Sequence, residues 1–185
     1  YALFAELFLN LREPKNGRSG LIVPSGIATD DSTKDFFGAI SRKGLLVSLY
    51  DFENRNAIFP DVHRSYKFCL LTMGAALIAD FAFFLTSVEQ LGDERRHFSL
   101  SPEDFELLNP NTYTCPVFRS QKDAEIARSI YKRVPVLIDD RKSKRADNAD
   151  RGNPWGISFL RMIDMANDSG LFHTSAAPGL MPLYE

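Results

Sequence analysis

The sequence has 185 residues, of which 44% are hydrophobic and 25% are charged, which is the balance of a globular domain with a sizeable core. The formal net charge of −2 excludes a protein that is basic over its whole surface, so any contact with nucleic acid must come from a local patch. The apolar runs are shorter than the roughly 20 residues that a membrane helix needs, and we therefore expect no contact with a membrane.

The first part of the chain alternates between predicted helices and buried strands. Three short apolar runs predict strands, at residues 21–23, 45–50 and 66–73. A helix with an N-terminal cap among residues 30–32 should lie between the first two strands. A polar loop, residues 51–65, joins the last two strands without a helix, so these strands should be antiparallel neighbours.

The first twelve residues carry apolar side chains at helical spacing. They predict a helix with one buried face that would consist of Leu3, Phe4, Leu7, Phe8 and Leu11.

The character of the chain changes between residues 74 and 79. We place a boundary there, which gives a first region of residues 1–76 and a second of residues 77–185. The second region should be a smaller α+β unit with a Phe-rich strand over residues 79–88, a short helix that opens at Ser101 and a helix capped by Ser120.

A mixed charge run follows at residues 141–151. Its cations could touch a DNA backbone, but neighbouring aspartates dilute them and an ordinary exposed loop is the better interpretation for Lys142, Lys144, Arg145 and Arg151.

The two cysteines, Cys69 and Cys115, lack the spacing of metal ligands. Cys69 lies in an apolar run and is best interpreted as a small buried hydrophobic residue. This use of cysteine indicates a reducing, cytoplasmic setting.

Residues 20–30, the helix and strand that follow them, and residues 52–55, 58–63 and 67–68 form a series of segments in a recognisable order. They resemble the gamma-class DNA adenine-N6 methyltransferases of restriction-modification systems. Residues 20–30 (GLIVPSGIATD) resemble the fifth strand of that family and the loop after it, and the next helix and strand resemble its next helix and sixth strand. The family's last conserved loop and seventh strand are resembled by residues 52–55, 58–63 and 67–68. A looser resemblance continues to about residue 171.

The resemblance implies an α/β fold, namely a partial Rossmann-like methyltransferase sheet made of its last three strands. The third strand would lie between the other two and run antiparallel to them. Residues 1–76 would be the C-terminal half of a methyltransferase domain, and residues 77–185 would begin the target-recognition region. The first strand would have an exposed edge, which we expect to pair in a homodimer or to lean on the second region.

The activity implied is methyl transfer from S-adenosyl-L-methionine to adenine N6 in double-stranded DNA. The 185 residues contain neither a Gly-rich cofactor loop nor the Asn/Asp-Pro-Pro-Tyr/Phe catalytic motif of the family. Both would precede Tyr1, and both ends of the chain look like cuts through folded sequence. We therefore expect a fragment that lacks the N-terminal half of the enzyme, has no catalytic, cofactor-binding or metal-binding residue and is inactive alone.

An enzyme that methylates a base amine must take the base out of the stack and hold it in a pocket. The resemblance places Phe59 where an aromatic ring stacks on the flipped adenine, and Pro24 at the floor of the pocket. Judged by residue type alone, Phe59 is more simply a core residue, and Pro24 serves equally well to end a strand.

Four cationic or titratable side chains, Arg55, His63, Arg64 and Lys67, cluster around Phe59 in the sequence. They could grip the phosphates that flank a flipped nucleotide, which we favour for His63 and Arg64 over Arg55. The alternative is a solvated polar loop. For the chain as a whole, the alternative function is a non-catalytic protein-interaction module.

Overall fold

A mixed β-sheet organises the chain, and short apolar segments with alternating burial form its strands. The computed structural model describes residues 1–143, 152–160, 163–164, 166–175 and 177–181. Within these ranges, five strands pair in the order β1-β3-β2-β4-β5, where the strands are β1 (Ser19–Pro24), β2 (Leu46–Glu53), β3 (Lys67–Met73), β4 (Ala79–Leu85) and β5 (His97–Leu100). Strands β2 and β4 are parallel, and the other three neighbouring pairs are antiparallel.

The predicted arrangement of the first three strands is confirmed. Strand β3 lies between β1 and β2 and runs antiparallel to both, so β1 and β2 share one direction. Strand β1 forms one edge of the sheet. Its pairing with a second copy of the chain stays a prediction.

Strand β4 follows the boundary predicted at residues 74–79, and it pairs with β2. Residues of both predicted regions therefore contribute to one sheet. The chain divides into two compact units, Tyr1–Trp155 and Gly156–Glu185, and the sheet belongs to the first. The assignment of residues 1–76 and 77–185 to a methyltransferase half and a target-recognition region stays a prediction.

Helices pack on one face of the sheet. They are α1 (Ala2–Leu11), α2 (Gly26–Thr29), α3 (Lys34–Arg42), α4 (Pro102–Leu108) and α5 (Gln121–Arg133), and a short helix, α6 (Asp140–Ser143), follows. Each of the first five contributes at least one buried residue to the main core. Stacked and edge-on aromatic rings fill the centre of this core, where Phe81 contacts Phe98 and Phe105. None of the helices in the described ranges is long and apolar enough to cross a membrane.

The opposite face of the sheet carries a second, smaller cluster. It consists of Phe52, Ala82 and Leu85, with Phe68 and Leu70 packed against it. Along a strand, residues of the main core alternate with residues of this second cluster, because successive side chains point to opposite faces of the sheet.

The predicted helix starts are confirmed for the later helices. Ser101 opens α4 in a capping box with Asp104, and the Ser120 hydroxyl accepts a hydrogen bond from the Asp123 N–H at the start of α5. The cap predicted for α3 was wrong. Residues 31–33 form a 3₁₀ turn instead, and α3 begins at Lys34 after Thr33.

The buried face predicted for the first helix was also wrong. Helix α1 forms, but the residue that it buries is Ala5, and Leu9 packs against the core beside it. The five predicted core residues, which we call the α1 stripe, are between 44% and 81% exposed: Leu3, Phe4, Leu7, Phe8 and Leu11. Helical periodicity shows which residues share a face, but it does not show whether that face has a partner.

Three cations of the predicted charge run, Lys144, Arg145 and Arg151, lie outside the described residues.

Candidate functional site

The candidate site lies where three parallel strands end. Strands β1, β2 and β4 share one direction, so their carboxyl ends lie along the same edge of the sheet. We call this the carboxyl edge. Open α/β sheets usually bind ligands at such an edge, because the loops that follow the strands gather there. Pro24 ends β1, and the loop that carries Phe59 follows β2.

A single buried side chain fixes the loop after β2. Asn54 is fully buried, and its Nδ2 donates hydrogen bonds to the carbonyl oxygens of Phe59 (2.9 Å) and Val62 (2.7 Å). Its Oδ1 accepts a hydrogen bond from the Phe59 N–H at 2.9 Å. Both backbone polar groups of Phe59 are therefore held by one residue. Asn54 was not singled out from the sequence, although an Asn that directly follows a strand often forms hydrogen bonds with the nearby loop backbone.

The Phe59 ring is partly open to solvent, with 37% of its surface exposed. Its buried part meets Phe68 edge-on, with ring centroids 5.0 Å apart, and Phe68 in turn stacks on Phe52 at 5.4 Å. Through Phe68 and Phe52, Phe59 is anchored to the face of the sheet that carries the smaller cluster, while part of its ring remains accessible.

Pro24 borders the same aromatic ring. Pro24 lies directly opposite Phe68 in the β1–β3 pairing, and Phe52 lies opposite Phe68 in the β2–β3 pairing. Directly opposed residues of antiparallel strands share a face, so these three residues form one row. Pro24 is exposed. The structure thus brings the two predicted base-binding residues to one shallow apolar surface around Phe68.

The four predicted phosphate contacts are all exposed on this loop and the strand after it. Arg55 forms an ion pair with Glu53 at 3.2 Å, which partly neutralises its charge. The His63 Nδ1 lies 2.8 Å from the Ser65 hydroxyl. Within the described part of the chain, Arg64 and Lys67 form no ion pair. The Arg64 Nη1 donates a hydrogen bond to the Arg55 carbonyl oxygen at 3.4 Å. The role of Arg64 and Lys67 as phosphate contacts stays a prediction.

A buried carboxylate, also missed in the sequence, connects the carboxyl ends of the three parallel strands. Asp51 of β2 is almost fully buried and accepts hydrogen bonds from the Ser25 hydroxyl, after β1, and from the Phe84 N–H of β4 at 3.4 Å. Burial first, and the Asp51 carboxylate second, raise the pKa of the Cys69 thiol to about 12. This thiol therefore stays protonated and unreactive, which agrees with its interpretation as a buried hydrophobic residue.

A second polar cluster lies on the face of the sheet that carries Phe52 and Phe68. The Asp80 carboxylate accepts a hydrogen bond from the Tyr50 hydroxyl at 2.8 Å and lies 2.8 Å from the His97 Nδ1. The His97 Nε2 lies 3.0 Å from the Leu91 carbonyl oxygen. Partial burial opposes a charged imidazole, but the hydrogen bonds to Asp80 and Leu91 outweigh it and raise the pKa of His97. Both ring nitrogens of His97 lie within hydrogen-bond distance of an acceptor, which favours the protonated imidazole.

Within the described ranges, no group of three or more His, Cys, Asp or Glu side chains could hold a metal ion.

No family model matches the chain, and no curated protein matches it. Its fold is similar to that of two solved structures from type I restriction-modification systems. One is a modification subunit of a putative type I restriction enzyme from Vibrio vulnificus YJ016, at 11% identity and a TM-score of 0.45, with 58% of this chain and 28% of that chain covered. The other, described in relation to complex assembly and conformational transition of the type I system, has 11% identity and a TM-score of 0.46, with 71% of this chain and 36% of that chain covered. The chain thus spans about a third of the length of these structures, and likeness at this level concerns the fold alone.

Proposed function

We propose that this chain forms the target-base side of a site-specific DNA methyltransferase of the restriction-modification kind, which transfers a methyl group from S-adenosylmethionine to adenine N6. The observation that carries the proposal is the presentation of Phe59. Its ring is partly exposed at the carboxyl edge, and its backbone is held on both sides by the buried Asn54. The resemblance of residues 20–30 and of the loop after β2 supports the same reading.

The chemistry of base extrusion fits this surface. A base that leaves the stack needs a new aromatic partner, and stacking on a protein ring contributes about 1–3 kcal/mol per base. Phe59 supplies that ring, and Pro24 supplies an apolar floor beyond Phe68. Arg64 and Lys67, with His63 nearby, would hold the phosphates of the extruded nucleotide, because cations beside a base pocket contact the backbone and fix its position.

The residues of this chain do not fit the cofactor. The carboxylates at the carboxyl edge are already engaged, Asp51 by Ser25 and the Phe84 N–H, and Glu53 by Arg55. The 185 residues also contain no Gly-rich loop and no Asn-Pro-Pro motif. In this proposal, the cofactor site and the catalytic residues belong to a part of the enzyme outside this sequence, and the chain alone is inactive.

The test uses 2-aminopurine as an unpaired bulge in a short duplex, titrated with the chain at low salt. We expect its fluorescence to change on binding, the change to persist in Phe59→Tyr, and Phe59→Ala to abolish it. Tyr131→Ala is the matched control, because this ring on α5 is equally exposed, at 38%. An unchanged response in Phe59→Ala would contradict the proposal. Calorimetric binding of S-adenosylmethionine at micromolar concentration would contradict the absence of a cofactor site.

A second candidate function is a non-catalytic interaction module, and the α1 stripe favours it. Five large apolar side chains on one exposed helix form the kind of contiguous patch that marks protein interfaces. A second copy of the chain is the simplest partner, because an exposed edge strand such as β1 can pair with the same strand of another copy. The stripe lies beside that strand, since the Ser19 hydroxyl donates a hydrogen bond to the Phe8 carbonyl oxygen at 2.7 Å.

Sedimentation velocity tests this candidate. If the α1 stripe binds a second copy, Phe4→Lys makes a dimeric chain monomeric, whereas Leu137→Lys, at an exposed residue outside the stripe, leaves it dimeric. Neither change should alter the free energy of unfolding by more than about 0.5 kcal/mol, because both side chains are exposed. A monomeric unchanged chain would remove the support for this candidate.

A further inference from the structure

The backbone at the end of β4 holds an aromatic residue in a conformation that such residues rarely adopt. The β2–β4 pairing shifts between Tyr50–Ala82 and Phe52–Leu85, so β4 carries one more residue than β2 and bulges. Phe84 lies in this bulge with a φ of 62°, in the left-handed region that glycine favours. In this region the Cβ of a bulky residue crowds the following carbonyl oxygen, so the conformation is strained. The buried Asp51 carboxylate helps to hold it by accepting the Phe84 N–H.

The strain places the Phe84 ring at the surface. Phe83 and Leu85 on either side are buried, whereas Phe84 is partly exposed. Strained residues persist where the surrounding structure determines them, and they concentrate at functional sites. Core packing favours a buried side chain in this bulge, and the backbone conformation favours glycine. Neither explains an exposed phenylalanine, so its ring calls for another explanation.

An arginine side chain lies over this ring. The Arg119 guanidinium carbon is 4.2 Å from the centroid of Phe84. The main chain on both sides of Arg119 is fixed, because Phe118 packs against Phe98 with centroids 5.3 Å apart and Ser120 caps α5. The guanidinium is therefore held in position by a ring beneath it and by a rigid backbone.

The described part of the chain offers no polar partner to the Arg119 guanidinium. Among the residues that the structure describes, it has no hydrogen bond and no ion pair, in contrast to Arg128, which bonds Asp104 at 2.8 Å. A guanidinium stacked on a ring directs its N–H fork outward in its own plane, which is the geometry that matches a phosphate.

We infer that Arg119, positioned by Phe84, binds a backbone phosphate of the DNA strand whose base Phe59 receives. Phe84 is the penultimate residue of β4, the loop with Phe59 follows β2, and these strands are neighbours at the same edge. Phe59 packs against Phe68 of β3, and β3 and β4 flank β2 on either side. Two strand spacings, roughly 10 Å, therefore separate the two groups along the carboxyl edge, a length that a DNA strand of a few nucleotides spans. The inference rests on the proposed function and adds a phosphate contact that is remote in sequence from the loop after β2.

The experiment measures anisotropy of a fluorescently labelled duplex titrated with the full 185-residue chain over a series of salt concentrations. Loss of one phosphate contact lowers the slope of log affinity against log salt by about 0.9. We expect this change in Arg119→Gln, with a fall in affinity, while Arg119→Lys keeps the slope. Phe84→Gly, which tolerates the positive φ, should keep the slope but weaken binding roughly three- to tenfold, because the guanidinium loses its platform.

The control is Arg133→Gln, which removes the same charge at the far end of α5, about 20 Å along the helix. A slope in Arg119→Gln equal to that of the unchanged chain or of the control would overturn the inference. The inference would also be overturned if the unchanged chain showed no salt-dependent DNA binding. It would likewise be overturned if Arg119→Gln weakened the binding of an acidic peptide and not that of DNA. If Phe59→Ala leaves the 2-aminopurine response intact while Arg119→Gln lowers the slope, the base pocket fails and the phosphate contact stands.

Discussion

Asn54 should be the most sensitive residue of the candidate site, although it does not reach the surface. Replacement by alanine removes three hydrogen bonds and leaves the Phe59 N–H and the carbonyl oxygens of Phe59 and Val62 without their partner. Each such bond contributes about 0.5–1.5 kcal/mol net. Water can reach part of this exposed loop and recover some of the loss, so we expect Asn54→Ala to lower the free energy of unfolding by about 2–3 kcal/mol.

Asn54→Asp separates the two sides of this network. The carboxylate still accepts the Phe59 N–H, but its second oxygen faces the two carbonyl oxygens that Nδ2 served, so this variant should destabilise the chain at least as much as alanine. Urea unfolding measures both, and Asn56→Ala in the same 3₁₀ turn is the control, because Asn56 is exposed. A cost in Asn54→Ala no larger than that of Asn56→Ala would refute the claim that one side chain fixes the loop.

Two further predictions concern the other polar and strained groups. The pKa of His97 is raised above its ordinary value of 6.5, so its contribution to stability is complete below that value and is lost as the pH rises through the folded-state pKa. Unfolding measured from about pH 5.5 to 8.5 should show this fall in the unchanged chain and not in His97→Gln, where Asp80, Glu94 and Tyr50 still surround the residue; equal pH profiles would contradict the cation. At Phe84, glycine should be more stable than alanine by about 1 kcal/mol in thermal unfolding, because the φ of 62° strains alanine; the reverse order would show that the bulge relaxes.

The central part of the fold could be predicted from the sequence because its signals are local. Apolar runs of strand length separated by a predicted helix and a polar loop define β1, α3, β2 and β3. A connection without a helix favours antiparallel pairing of β2 and β3. The placement of β3 between β1 and β2 came from the family resemblance. The pairing of β4 with β2 could not be read, because a buried parallel strand has no alternation that distinguishes its neighbours.

The sequence indicated the exposed residues of the candidate site but not the buried residues that hold them in place. The cations stand out by residue type within a polar loop, whereas Phe59 was singled out only by the family resemblance. Asn54 and Asp51 act through the backbone of other segments, and such contacts have no periodicity in the sequence. Arg119 lies 35 positions after Phe84 in the sequence, and tertiary packing alone brings the two together.

The exposed α1 stripe and the exposed edge of β1 bear on the same question as the base pocket. A polypeptide that covered the stripe and paired with β1 would extend the sheet beside Ile22, which is 60% exposed, and would reach Pro24 at the end of that strand. Proline has no N–H to give to such a partner, so pairing would end there and leave the Pro24 ring facing the carboxyl edge. The partner would then wall the shallow surface around Phe68 on its open side. In the proposed function, the base pocket and the protein interface would then be parts of one assembly, and the chain by itself would hold a base on an open surface and not in an enclosed site.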